Sequence, residues 1–209
     1  MKKYALWFLL LIPIYAAIVV RCTPSLHPIY TDKDIIFDPA LIGTWQPDDP
    51  QDKSIWDFTS ADEPNHAYIM TYKATDSEDT ARFVAHLAKI QDHIFLDAYP
   101  VSSDADKNDL GLYFMLPTHV FWLVEQIEPK LTVRDMNEDW LNSYLAQNPS
   151  ALRHDEVEGP GGENDTRLVI TASTEELQAF IIEHLETEGA YSDPAVYHRV
   201  NEAAQTTQE

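Results

Sequence analysis

From residue 41 onward, apolar and polar positions alternate with a period of two, in short runs separated by turn-forming residues. This is the pattern of half-buried β-strands. Trp56 and Phe58 share one face of the run 54–59, and Tyr68, Met70 and Tyr72 share one face of 68–73. Phe83, Ala85 and Leu87 do so in the longer run 81–91. Gln91-Asp92-His93 predicts a tight turn into 94–99, making this pair the best hairpin candidate in the chain. The run 118–127 is apolar on both faces: Phe121, Leu123 and Ile127 point one way, Val120, Trp122 and Val124 the other. Such a strand is expected to be covered on both sides. Further short strands are predicted at 131–136, 152–157, 167–171 and 196–200.

Two segments change period from two to 3.6. Asn137 is placed to cap a helix over 137–147, carrying Trp140, Leu141, Tyr144 and Leu145, with Pro149 beyond its end. Ser173 and Glu176 form a capping box for a second helix over 174–188. Its stripe is Leu177, Phe180, Ile181 and Leu185, and Gly189 suits its C-terminal cap. The sequence therefore predicts a mainly β fold with antiparallel pairing. An up-and-down barrel or a strongly curved sheet accommodates so many short strands without exposed edges.

The N-terminus follows a different rule. Residues 4–20 are uncharged, and Lys2 and Lys3 precede them. A basic start and an apolar run describe an export signal, or an anchor just long enough to span a bilayer. The lysines favour a body translocated across the membrane. Cys22, the only cysteine, directly follows the run. Its position resembles the lipidation site of bacterial lipoproteins, although Arg21 stands where that pattern has a small residue. The cleaved lipoprotein and the plain signal anchor both remain open, and both put the body on the extracytoplasmic face of the membrane. The domain plan is thus a signal peptide or anchor over 1–21, a tether over 22–38 rich in proline and polar residues, one β-rich domain over 39–200, and a polar tail over 201–209.

Charge narrows the partners. The chain carries 35 acidic and 14 basic residues, for a net charge of −21, and every acidic residue lies beyond residue 21. Such a body repels phosphate backbones, so nucleic acid is not expected as a partner. It also repels anionic headgroups, so attachment to a membrane must come through the N-terminus.

Leu41-Ile42-Gly43-Thr44-Trp45 contains a Gly-x-Trp sequence and resembles the opening strand of lipocalins and related calycin barrels. The resemblance implies a lipocalin-like barrel in which Trp45 closes the floor and a late arginine packs over it. Arg199 is the first candidate for that arginine and Arg167 the second. The helix at 137–147 departs from the lipocalin order. More broadly, 41–45, 81–100, 116–121 and 170–180 resemble a family of uncharacterised bacterial lipoproteins. That resemblance implies an envelope location and carries no catalytic residues.

Chemistry-bearing clusters are sparse. No nucleophile elbow, phosphate loop or zinc-protease motif occurs, and the body has no cysteine. We therefore expect a non-enzymatic protein without a cofactor. His86, His93, Asp97 and His119 are a conceivable zinc set, and Asp104, Asp106, Asn108 and Asp109 a conceivable calcium loop. For both, solvated or hydrogen-bonded side chains are the simpler reading, as they are for His154-Asp155-Glu156. The aromatic residues say more. If one strand face lines a barrel, Tyr68, Tyr72, Phe83, Phe121 and Trp122 offer a large-ringed apolar lining for a small hydrophobic ligand. The alternatives are a packed interior and a scaffold that docks an envelope protein.

Overall fold

The structure is a computed structural model, and it describes residues 23–61, 66–75, 80–101, 116–158 and 166–200. Eight strands close into an antiparallel barrel: β2 (Gly43–Pro47), β3 (Ile55–Ser60), β4 (Tyr68–Lys73), β5 (Thr80–Ile90), β6 (His93–Pro100), β7 (Val120–Gln126), β8 (Leu131–Arg134) and β11 (Ala195–Arg199). Each of the first seven pairs with the next. β11 closes the ring between β8 and β2. A two-residue strand, β1 (Ile35–Ile36), pairs with Ala88 and Leu87 along the edge of β5 that β4, paired with residues 80–85, leaves free. Between β8 and β11 the chain builds helix α1 (Glu138–Gln147), the hairpin β9 (His154–Glu158) and β10 (Thr166–Ile170), and helix α2 (Thr174–Glu183).

The alternation in the sequence becomes two separate cores. Inward residues, among them Trp45, Trp56, Phe58, Tyr68, Met70, Leu87, Leu96, Trp122 and Tyr197, fill the barrel. Outward residues of β5 to β7, namely Ala88, Ile90, Phe95, Phe121 and Leu123, are buried under the two helices and the small hairpin. β7 is apolar on both faces because it serves both cores. Its alternation slips once: a bulge between Val124 and Gln126 shifts the register against β8. Ile127 therefore joins the barrel core, not the face of Phe121 and Leu123.

The predicted hairpin is present, with Ile90 opposite His93 and Gln91 in the left-handed region at φ 55°. Both predicted N-terminal caps are made. Asn137 accepts from the backbone N–H groups of Asp139 and Trp140, and the Ser173–Glu176 box is reciprocal. α2 ends at Glu183, five residues earlier than its sequence suggests. There the His184 ring turns in among Trp140, Tyr144 and Phe180, with centroids 4.6 to 5.1 Å away. The following residues form turn hydrogen bonds, Thr187 N–H to His184 and Ala190 N–H to Thr187, in place of helical ones. Gly189, at φ 80°, belongs to this turn and not to the helix cap.

Residues 23–38 are not a tether. Ser25 exchanges two backbone hydrogen bonds with His119, of 2.9 and 2.8 Å, and bridges in parallel to Ile170 of β10. Ile29 is fully buried, and Gln178 of α2 donates to its carbonyl at 2.8 Å. This segment is a strap laid along the barrel wall; proline and polar residues there satisfy its backbone against neighbours that composition alone does not reveal. No helix among the described residues is long and apolar enough to cross a membrane, and the run 4–20 lies outside them.

Candidate functional site

Up-and-down winding sorts every connection to one of two barrel ends. The base carries the segment before β2, the turns β3–β4, β5–β6 and β7–β8, and the exit from β11. The rim carries the connections β2–β3, β4–β5, β6–β7 and β8–β11.

The base is sealed by the residues that the Gly-x-Trp resemblance singled out. A 3-10 turn, Pro39–Leu41, crosses it and is capped by Asp38. Trp45 is fully buried, and its indole N–H donates to the Leu41 carbonyl at 2.9 Å. The Arg199 guanidinium lies 4.3 Å from the Trp45 ring centroid and donates to the carbonyls of Ile42 and Ala40, the latter at 2.6 Å. Gly43 has φ 131°, and a Cβ there would collide with Arg199 Nη1. Arg167, the second candidate, lies in the β9–β10 hairpin opposite Val157. Tyr68 completes the seal: its hydroxyl accepts from Asp38 N–H at 2.7 Å and donates to the Asp38 carbonyl at 3.0 Å. Burial pushes its phenol up to about 12.

Nearer the rim, Trp56 packs against Trp122 at 5.1 Å and Tyr197 at 4.7 Å between ring centroids. These three rings form a floor across the barrel. Beyond it the inward positions Tyr72, Phe83, Val120 and Ala195 are only partly buried, and all pack against the barrel core. Burial, and to a lesser degree Asp52, raises the Tyr72 phenol. An eight-stranded barrel has room either for side chains or for one small ligand. Here large buried side chains run from the base to the three-ring floor; partly buried side chains occur at both ends, aliphatic at the base (Ile36, Ala40, Ile42, Ile94) and including the rings of Tyr72 and Phe83 at the rim. Of the five residues expected to line a pocket, Tyr72 and Phe83 lie at the rim, Trp122 is in the floor, and Tyr68 is in the base seal. Phe121 points outward into the second core and is separated from the others by the barrel wall. Trp56 and Tyr197 are the floor residues that the sequence reading left out of the lining. Trp56 was legible from its alternation with Phe58, but nothing local marks Tyr197. Cys22 lies outside the described residues, as does the 104–109 cluster.

A second cluster sits outside the barrel, under the strap. Asp97 is nearly inaccessible, and its Oδ1 accepts from His119 Nδ1 at 2.7 Å. Its Oδ2 accepts from Ile29 N–H at 3.0 Å. His86, the cross-strand partner of Asp97, has Nδ1 at 2.9 Å from the Tyr30 hydroxyl. Burial lowers the His86 pKa, against the raising effect of Asp97, and burial pushes Tyr30 up to about 12. The fold thus brings His86, Asp97 and His119 together and leaves His93 at the base end of the hairpin. Among the described residues no three His, Cys, Asp or Glu side chains are placed to share a metal ion. Every hydrogen bond above joins strap to wall or wall to wall, so the cluster acts as a clasp. His154, Asp155 and Glu156 lie along β9, on the two-stranded sheet outside the barrel, with His154 Nδ1 held 2.8 Å from the Leu152 carbonyl.

In comparisons with family models, curated proteins and solved structures, nothing matches this chain.

Proposed function

We propose that this protein is a membrane-tethered barrel on the extracytoplasmic face of a bacterial envelope, and that it binds a small apolar ligand at its rim. The tether is the run 4–20 with Cys22 after it. The observation that carries the binding reading is the contrast in burial along the barrel. The large rings at the base, Trp45, Phe58 and Tyr68, are fully buried, with only smaller side chains such as Ile42 and Ile94 partly exposed beside them, whereas the rings of Tyr72 and Phe83 stand half-buried above a floor of Trp56, Trp122 and Tyr197. Large rings with unspent apolar surface, backed by a rigid floor, favour a flat or acyl apolar molecule. We read the role as non-enzymatic, because the best-organised polar group, around Asp97, spends its hydrogen bonds on the strap.

Native mass spectrometry of residues 23–209, after exposure to an envelope lipid extract, tests the reading. The expected result is a discrete added mass that is lost in Phe83→Ala. A bare polypeptide mass would instead favour a scaffold that docks an envelope protein. The mutual packing of the floor rings is the feature that agrees with that second reading.

A further inference from the structure

We propose that the rim of the barrel faces the bilayer, with the chain's own anchor fixed beside it. The inference rests on the membrane-anchor reading of residues 4–20 and adds an orientation to it. The strap has a direction. It starts at Ser25, bonded to His119 just before β7, and the start of β7 is at the rim. It passes Asp97 in the middle of β6 at Ile29. It ends at Ile35 and Ile36, opposite Ala88 and Leu87, close to the base. The chain therefore enters the fold at the rim and runs toward the base. Thr23 is already buried, and only Arg21 and Cys22 separate it from the end of the uncharged run at Val20. Fully extended, that connection reaches about 10 Å.

The β9–β10 hairpin points the same way. Ser25 pairs with Ile170 in parallel, so the strap and β10 run in one direction. Thr166, at the start of β10, and its partner Glu158 lie on the side from which the chain arrives. The rim, the Glu158–Thr166 end of this hairpin and the point where the chain enters at Thr23 thus share one side. The base is the remote end: β5 covers 11 residues, which at about 3.3 Å each and a tilt near 40° is roughly 28 Å along the barrel axis. The acidic body does not seek the membrane by charge; chain connectivity holds it there. An apolar ligand then passes between bilayer and rim with little exposure to water.

The test uses the full chain in phosphatidylcholine vesicles that contain a headgroup-linked quencher lipid. A fluorescent amino acid is placed at Leu116, which is 72% exposed and three residues from His119, or at Asp92, in the exposed β5–β6 turn at the base. Co-flotation with the vesicles is scored first. The expected result is flotation of both proteins, strong loss of emission from position 116, and emission from position 92 equal to that in quencher-free vesicles. Flotation with equal quenching, or stronger quenching at 92, would overturn the orientation and leave the anchor standing. Failure to float would overturn the anchor and the orientation together.

Discussion

The two ends of the barrel are built from the same kinds of residue and end in different states. At the base, aromatic rings are spent: Trp45 and Tyr68 are fully buried, and each has its polar atom hydrogen-bonded to backbone. A guanidinium, a 3-10 turn and a glycine with no room for a Cβ complete the seal. At the rim, Tyr72 and Phe83 keep part of their surface outside the core. Burial that is complete contributes stability, and burial that is incomplete leaves free energy for a ligand to collect. On the proposed function, one end carries structure and the other carries binding.

The largest expected effect comes from breaking the base. Trp45→Ala should lower unfolding free energy by about 3–5 kcal/mol, read as a shift of the denaturation midpoint at constant slope. Arg199→Ala removes the cation–π contact and two carbonyl bonds. With the guanidinium partly solvated it should cost about 2 kcal/mol. Next comes the clasp. Asp97→Ala leaves Ile29 N–H and His119 without their acceptor and should cost about 1–3 kcal/mol. Hydrogen exchange should quicken in residues 24–30 before it does in the barrel. At the rim the order of effects reverses. Phe83→Ala should cost about 1 kcal/mol or less in stability, since little of its contact is fully buried, yet it should remove most of the ligand binding.

The smallest effect is a pH dependence. The folded-state pKa of His86 is depressed by burial, so the unfolded chain takes up that proton first as pH falls. This contribution to stability is complete above the usual histidine range and is lost as pH drops through it. His86→Gln should flatten the decline in stability between neutral pH and pH ~5.5. A variant whose profile matches the parent would remove His86 from the account.

Much of the fold was legible because local rules and tertiary packing agreed. Strand alternation at Trp56 and Phe58 or at Ala85 and Leu87, the Gln91–Asp92 turn, and both helix N-caps read correctly from a few neighbouring residues. Gly43, Trp45 and Arg199 were found through a resemblance whose geometry the barrel reproduces. What escaped depends on partners distant in sequence. The strap resembles a tether until His119, Ile170 and Gln178 are beside it. Phe121 resembles a lining residue because β7 is apolar on both faces, and only the location of the second core decides which face is inside. Ile127 changes sides at a bulge that leaves no mark in the alternation. Asp97 did carry a signal, a carboxylate within Phe95-Leu96-Asp97-Ala98, and hydrogen bonding was the simpler reading of its cluster; that the partner is a strap from residues 24–30 was not legible.

The most direct test of the central claim is quenching of tryptophan emission by a brominated long-chain fatty acid titrated into residues 23–209. Binding at the rim predicts saturable quenching of Trp56 and Trp122, seen as a signal that persists in Trp140→Phe and is lost in Phe83→Ala. Quenching that never saturates, or that disappears when Trp140 in α1 is replaced, would contradict a rim site.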